Sequence, residues 1–234
     1  MNCMDSLGIP VGVTSVVGSG GKTTLLRALA EELVAHGRSV ILTTTTHIMP
    51  FEGIELVSSP DEASLGRALA RAHVACVGSF SENGKFGPSP LPVERLAELA
   101  DHVLIEADGS KRLPIKAHAP YEPVVPSCSA RCMLVVGASG FSRPASESAH
   151  RPELFCARAA CAPDDLATPE LVARVVAREC QEGLLAPDVV VVNQAENHEL
   201  LDLARRLAAE LHAAGLELPV WAGSIRDHDL QRVG

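Results

Sequence analysis

Apolar positions along this chain fall into two alternating arrangements. The first is a set of short β-branched runs: Val11–Val17, Ser39–Thr43, Val74–Val77, Val103–Ile105, Met133–Val136 and Val189–Val192. Runs this short and this apolar read as strands covered on both faces. The second is helical spacing. Between Lys22 and His36 the apolar residues stand at Leu25, Leu26, Leu29, Leu33 and Val34, and Gly37 follows as the stop. Ser59-Pro60-Asp61-Glu62 predicts a capping box opening a helix to about His73, and Asn83-Gly84 predicts a turn. Helices are predicted over Pro92–Ala100, over Pro169–Arg178 behind a Thr168 cap, and near Glu199–His212; Pro219–Ala222 predicts a last edge strand. The Pro-rich stretch Leu113–Pro126 is not helical. Strand, helix, strand in alternation predicts an α/β fold, a mainly parallel sheet flanked by helices in three layers, in one domain over residues 1–234.

The first strand runs into Gly18-Ser19-Gly20-Gly21-Lys22-Thr23-Thr24, and the first long helix starts inside that segment. Glycines let the backbone turn sharply and bring its N–H groups to phosphate oxygens, while the helix offers further free N–H groups and a positive dipole end. Lys22 is placed to reach the β- and γ-phosphates, the Thr23 hydroxyl to ligate Mg²⁺, and Thr24 to donate to the α-phosphate. The long form of the pattern, G-x-x-x-x-G-K-[ST], has Val16 where it needs its first glycine, so the shorter G-x-x-G-K-T-T form applies.

A nucleotide-bound metal also needs a carboxylate, usually at the end of a buried strand. Val103-Leu104-Ile105-Glu106-Ala107-Asp108-Gly109 offers two of like parity, Glu106 and Asp108: one to hold the metal, the other to orient a nucleophile. Thr43–Thr46 ends the second strand on the same carboxyl edge, which makes Thr45 and Thr46 candidate ligand contacts. Lys111, Arg112, Lys116 and His118 gather after the acidic strand end, and Arg143, His150 and Arg151 in a later loop; both groups suit an anionic ligand. Asn193 follows the strongest strand, where it can meet a nucleotide base.

Charge and composition narrow the class. The 234 residues carry 20 Lys and Arg against 29 Asp and Glu, a net charge of −9, and only 3% are aromatic. An acidic chain with few stacking rings does not suit a nucleic-acid surface. No apolar run approaches the roughly 18 residues of a membrane span, and Met1–Asp5 lacks the basic start of a secretory signal, so a cytoplasmic protein is expected. The seven cysteines are odd in number and lack C-x-x-C pairing, which predicts reduced thiols.

The combined motifs resemble the YqeC family, accessory proteins of selenium-dependent molybdenum hydroxylases. The likeness rests on Gly18–Thr24, Thr43–Thr46, Glu106-Ala107-Asp108-Gly109-Ser110-Lys111, Pro114–Ala117, Glu122–Pro126 and His150-Arg151-Pro152-Glu153. It implies a P-loop nucleotide-binding fold and a part in selenium cofactor biosynthesis. Near Asn193 the family is similar to the N-K-x-D guanine motif; here Gln194 stands for Lys and Glu196 for Asp, which leaves the nucleotide as ATP or GTP. One expectation is a Mg²⁺-dependent NTP hydrolase or phosphoryl-transfer enzyme in which Lys22 neutralises phosphoryl charge while Glu106 or Asp108 positions water or an acceptor. The other is a nucleotide-gated protein that docks on a molybdenum hydroxylase or selenium-delivery partner through Tyr121–Pro126 and Phe141–Glu153. Selenium handling by the thiol of Cys128 or Cys132 is a third.

Overall fold

The computed structural model describes residues 3–58, 60–80 and 86–234. Its elements run α1 Cys3–Leu7, β1 Gly12–Gly18, α2 Lys22–Ala35, β2 Val40–Thr44, β3 Leu56–Ser58, α3 Glu62–Ala72, β4 Val74–Phe80, β5 Phe86–Gly87 and α4 Val93–Leu99. They continue β6 His102–Glu106, β7 Ile115–Lys116, β8 Ser129–Gly137, α5 Ala145–Ser148, β9 Ala149–His150, α6 Pro152–Ala159, α7 Pro169–Gln181, β10 Val189–Asn193, α8 His198–Ala213, β11 Val220–Ser224 and β12 Asp229–Arg232. The sheet order is β12-β11-β10-β8-β1-β6-β2-β4-β3, with β5 on β4. All its pairings are parallel except β11 with β12 and β4 with β5.

Both sheet faces are covered, which is why the strands read as unbroken apolar runs. Alternate residues divide between them. Val16, Leu42, Leu104, Val135 and Val191 meet Leu25, Leu26, Leu29 and Leu33 of α2 and Leu7 of α1 on one face. Val17, Ile41, Ile105, Val136 and Val192 meet Leu65 of α3, Leu96 of α4, Val172 and Val176 of α7 and Leu207 of α8 on the other. Burying each such leucine contributes about 1.5–3 kcal/mol before chain entropy is subtracted. This is the expected three-layer P-loop arrangement. β1 lies between β6 and β8, so the loops leaving the carboxyl ends of β1, β6, β8 and β10 converge, the place where open α/β sheets bind ligands.

Several boundaries differ from the sequence pattern. The cap of α3 is Asp61, whose carboxylate accepts from Ser64 N while the Ser64 hydroxyl receives Asp61 N; Pro60 precedes the cap, and Ser59 lies outside the described residues, as does the Asn83-Gly84 turn. The strand predicted at Pro219–Ala222 is internal: β12 pairs on its outer side and Pro219 stands just ahead of it. Ser39 does not extend β2 but binds Asp101 through its N–H and hydroxyl.

Candidate functional site

The turn at the end of β1 has the conformation its glycines predict. Gly18, Gly20 and Gly21 have φ of 94°, 85° and 133°, all in the left-handed region that side chains avoid. Space forbids a side chain as well. A Cβ on Gly20 would overlap the backbone of Gly137, and one on Gly21 would overlap the Asn193 amide. Ser19 N donates to Val135 O (2.9 Å), the Ser19 hydroxyl donates to Leu113 O, and Gly18 N donates to Asp108 Oδ2 (2.9 Å). The loop is thus fixed from β8, from the residues after β6 and from the Ser110–Pro114 turn.

Lys22, buried at the first position of α2, folds back over this loop. Its Nζ donates to Gly18 O (2.7 Å) and Ser110 Oγ (3.1 Å), and lies 3.1 Å from Asp108 Oδ1 and 3.6 Å from Glu106 Oε1. Thr23, exposed beside it, donates its hydroxyl to Glu106 Oε2 (2.8 Å). Lys22, Thr23, Glu106 and Asp108 are therefore together, and Thr24 is exposed on the next helical position.

The two carboxylates are placed differently. Glu106 closes β6 at the mouth of the site; burial pushes its carboxyl up, against the pull of Lys22 and Thr23. Asp108 lies beneath the loop with no exposed surface. Burial opposes its charge, but Lys22, His118 and Lys116 overcome it and hold the carboxyl well below the usual range. Its Oδ2 accepts from Gly18 N, Lys116 Nζ (2.9 Å) and His118 Nε2 (2.8 Å). Its Oδ1 has only the ion pair with Lys22 and no hydrogen-bond partner among the described residues.

Behind Asp108 a line of buried charge runs to the helical layer. His118 Nδ1 lies 2.7 Å from Glu179 Oε2, and Glu179 Oε1 accepts from His118 N and from Arg158 (2.7 Å each). With a carboxylate at each ring nitrogen, His118 is raised despite burial and stands as an imidazolium. Glu179 and Arg158 have no place in the sequence expectations, and Glu122 and Ser110 enter them only as members of motif segments. For Glu179 a signal exists: it sits seven residues after Val172 and three after Val176, on the apolar stripe of α7, where a carboxylate needs a buried partner.

The remaining candidates separate into groups. Lys116 is inside the site, its Nζ held by Asp108, Gly109 O (2.6 Å) and Glu122 (2.8 Å). Arg151 makes a two-pronged pair with Glu122 (2.7 and 3.0 Å) and lies 5.6 Å over the Tyr121 ring. His150 pairs in register with Lys116. Lys111 and Arg112 are exposed in the turn after Asp108. Arg143 is exposed on another loop, 3.8 Å from Glu147. The threonines tie strands together: Thr44 donates to Glu106 O and Thr45 to Val124 O (2.8 Å each), while Thr46 N donates to Thr44 Oγ1 (3.0 Å). Asn193 braces the loop, giving Nδ2 to Gly20 O (2.8 Å) and taking Ile225 N on Oδ1 (3.0 Å).

The thiols offer little nucleophilicity. Cys132 is pushed up to about 12, chiefly by burial and then by Asp188, and Cys128 is raised by burial and Glu94. Cys3, Glu32 and His228 bring ligand atoms within 4.8 Å of one another on the far side of α2, but Glu32 there already accepts from Cys3 N, Met4 N and His228. Among the described residues no helix is long and apolar enough to cross a membrane.

Comparison with known proteins adds four findings. Among solved structures, chloroplast FtsY from Physcomitrella patens has a TM-score of 0.49 and 18% identity, covering 96% of this chain and 62% of that one. Hydrogenase maturation factor HypB from Archaeoglobus fulgidus has a TM-score of 0.42 and 12% identity, covering 96% and 85%. The chain thus spans less than two thirds of the FtsY chain. The Escherichia coli (strain K12) protein "Uncharacterized protein YqeC" is 34% identical over 233 residues, 92% of this chain and 88% of its own. The family model described as YqeC protein matches residues 14–153, from β1 through His150-Arg151-Pro152-Glu153, and the chain belongs to the YqeC family.

Proposed function

We propose that this protein binds a nucleoside triphosphate, ATP or GTP, with Mg²⁺ at the Gly18–Thr24 loop and cleaves or transfers its terminal phosphoryl group. One observation carries the reading: a glycine loop at a helix start surrounds Lys22, Thr23 and Glu106, with Asp108 tying the loop from below. The oxygens present suit Mg²⁺, a hard cation that favours hydroxyl and carboxylate ligands. The Thr23 hydroxyl and Glu106 would hold it, and Asp108 Oδ1, which has the Lys22 ion pair but no hydrogen bond, can take further positive charge once Lys22 turns to the phosphates. When bound, the ion would neutralise charge on the transferring group.

The chain's own residues divide the remaining work. Loop N–H groups and the α2 start bind phosphate oxygens. Lys22 exchanges its carboxylate and carbonyl partners for the β- and γ-phosphates. Glu106, at the end of β6, would also position water or an acceptor hydroxyl beside the ion. Asp108 keeps Gly18 in place. A role in maturing a selenium-dependent molybdenum hydroxylase, and with it a cytoplasmic location, is proposed on the family resemblance alone.

The test is titration with ATP, GTP and CTP, each with Mg²⁺, followed by turnover, for wild type and Lys22→Ala. Losing charge-assisted contacts of about 1.5–3 kcal/mol predicts a fall in affinity of roughly 10- to 150-fold. Equal, negligible turnover in both proteins removes the catalytic step, and no affinity for any triphosphate removes the whole reading.

A second reading is nucleotide-gated docking on a partner with little turnover. It is favoured by Tyr121 and Val124, exposed at 72% and 47%, on a segment joined to the site by Val124 N donating to Ala107 O. Partner capture that ignores a nonhydrolysable nucleotide counts against it.

A further inference from the structure

β7 and β9 form a separate two-stranded sheet that sets Lys116 against His150. Lys116 turns inward to Asp108 and Glu122. His150 is only 8% exposed, yet its ring has no hydrogen-bond partner among the described residues. Its register partner Lys116 donates to Gly109 O (2.6 Å), which links the His150 strand to the turn that follows Gly109. The charges that act on His150 most strongly include those of Arg151, Lys116 and Lys111, opposed by the carboxylate of Glu122. That carboxylate is already taken by Lys116 (2.8 Å) and Arg151 (2.7 Å). A nearly buried polar ring is therefore set among cations, beside a carboxylate engaged by two of them.

The turn after Asp108 has the same surplus. Lys111 and Arg112 have left-handed backbones, φ 48° and 62°, and no ion pair or hydrogen bond from either side chain among the described residues. Such conformations cost on the order of 1–3 kcal/mol each and persist where the surroundings impose them. Here the imposition comes from the phosphate loop. Leu113 N donates to Ser110 O (3.0 Å), Leu113 O accepts the Ser19 hydroxyl, Pro114 O accepts Gly137 N (2.8 Å), and Ser110 Oγ receives Lys22. Two unneutralised cations are thus presented on a strained turn fastened to the loop.

We propose that His150 and the Lys111–Arg112 turn form an oxyanion subsite adjoining the phosphate loop. Its occupant is a phosphate or carboxylate group, either the terminal phosphate of the nucleotide or the acidic group of a second substrate. The first source rests on the nucleotide reading above; the second does not. Burial first, and then the surrounding cations, push His150 down to about 4, so it meets the anion as a neutral imidazole with one N–H to donate. An anion seated there favours the charged ring and reverses that shift.

Histidine NMR of the full chain, with His150 assigned through His150→Gln, is titrated with inorganic orthophosphate, then with a magnesium nucleoside diphosphate and a nonhydrolysable triphosphate. Orthophosphate is expected to move the His150 resonance saturably and to raise its titration midpoint. The double variant Lys111→Asn/Arg112→Asn, chosen because Asn tolerates the left-handed region, is expected to weaken orthophosphate at least tenfold. A triphosphate that displaces orthophosphate identifies the nucleotide as occupant; simultaneous binding identifies a separate acidic substrate. A His150 resonance unmoved by saturating orthophosphate and triphosphate, or equal orthophosphate affinity in the double variant, overturns the subsite. Loss of nucleotide affinity alone overturns the proposed function and leaves the orthophosphate reading independent.

Discussion

His118→Gln tests whether buried charge behind the loop holds it in place. In the wild type the imidazolium joins Asp108 at 2.8 Å and Glu179 at 2.7 Å, and is 1% exposed. Removing one member of a buried ion pair typically costs about 3–5 kcal/mol. Asp108 would keep Lys116 and Gly18 N, and Glu179 would keep Arg158 and a backbone N–H. The lower end, about 3 kcal/mol, therefore applies. For a domain of this size, each kcal/mol moves Tm by about 2–4 °C, so the expected fall is about 6–12 °C. The pH dependence is diagnostic. The folded-state pKa of His118 is raised, so its contribution is complete below the unfolded value near 6.5 and is lost as pH rises through the folded value. Melting curves of wild type and variant should be furthest apart near pH 6 and converge on the alkaline side. A gap of the same size at about pH 6 and pH 9, or one below about 1 kcal/mol, refutes the charged-histidine account.

Two further changes probe the loop directly. Gly20→Ala places a methyl against the Gly137 backbone at φ 85° and should abolish triphosphate binding in a titration calorimeter, with a lowered Tm; wild-type affinity in the variant would mean that the loop has another shape. Asn193→Ala leaves Gly20 O and Ile225 N without their partner, costing about 1–3 kcal/mol in urea unfolding, and should weaken all nucleotides alike; a loss confined to one base would instead make Asn193 a base reader.

The sheet was legible because a strand covered on both faces cannot alternate, and the phosphate loop because glycine, lysine and threonine occupy consecutive positions. What escaped depends on distance or on weak local pattern. Glu179 meets His118 across 61 residues, and no window along the chain contains both. Helix α6 follows a left-handed Arg151 and has only eight residues, too few for a clear period. β12 has a single buried residue, Leu230, so its sequence resembles a polar tail; pairing with β11 makes it a strand and moves the predicted edge strand inward. Glu106 and Asp108 were recognisable as a pair. Their separation into a carboxylate at the mouth and one beneath the loop depends on Gly18 N, Lys116 and His118, which meet only after folding.

The company Lys22 keeps at rest bears on how the site can fill. Its ammonium faces Glu106 and Asp108, so the cradle does not begin as a bare positive hole. A polyphosphate arriving alone would draw the lysine away and leave two carboxylates confronting its own negative oxygens. Arrival with a divalent ion avoids that repulsion, since the ion takes over the balance that the lysine gives up. On the proposed reading, the cation would therefore govern occupancy of the cradle, and chelation would lower its affinity for polyphosphate.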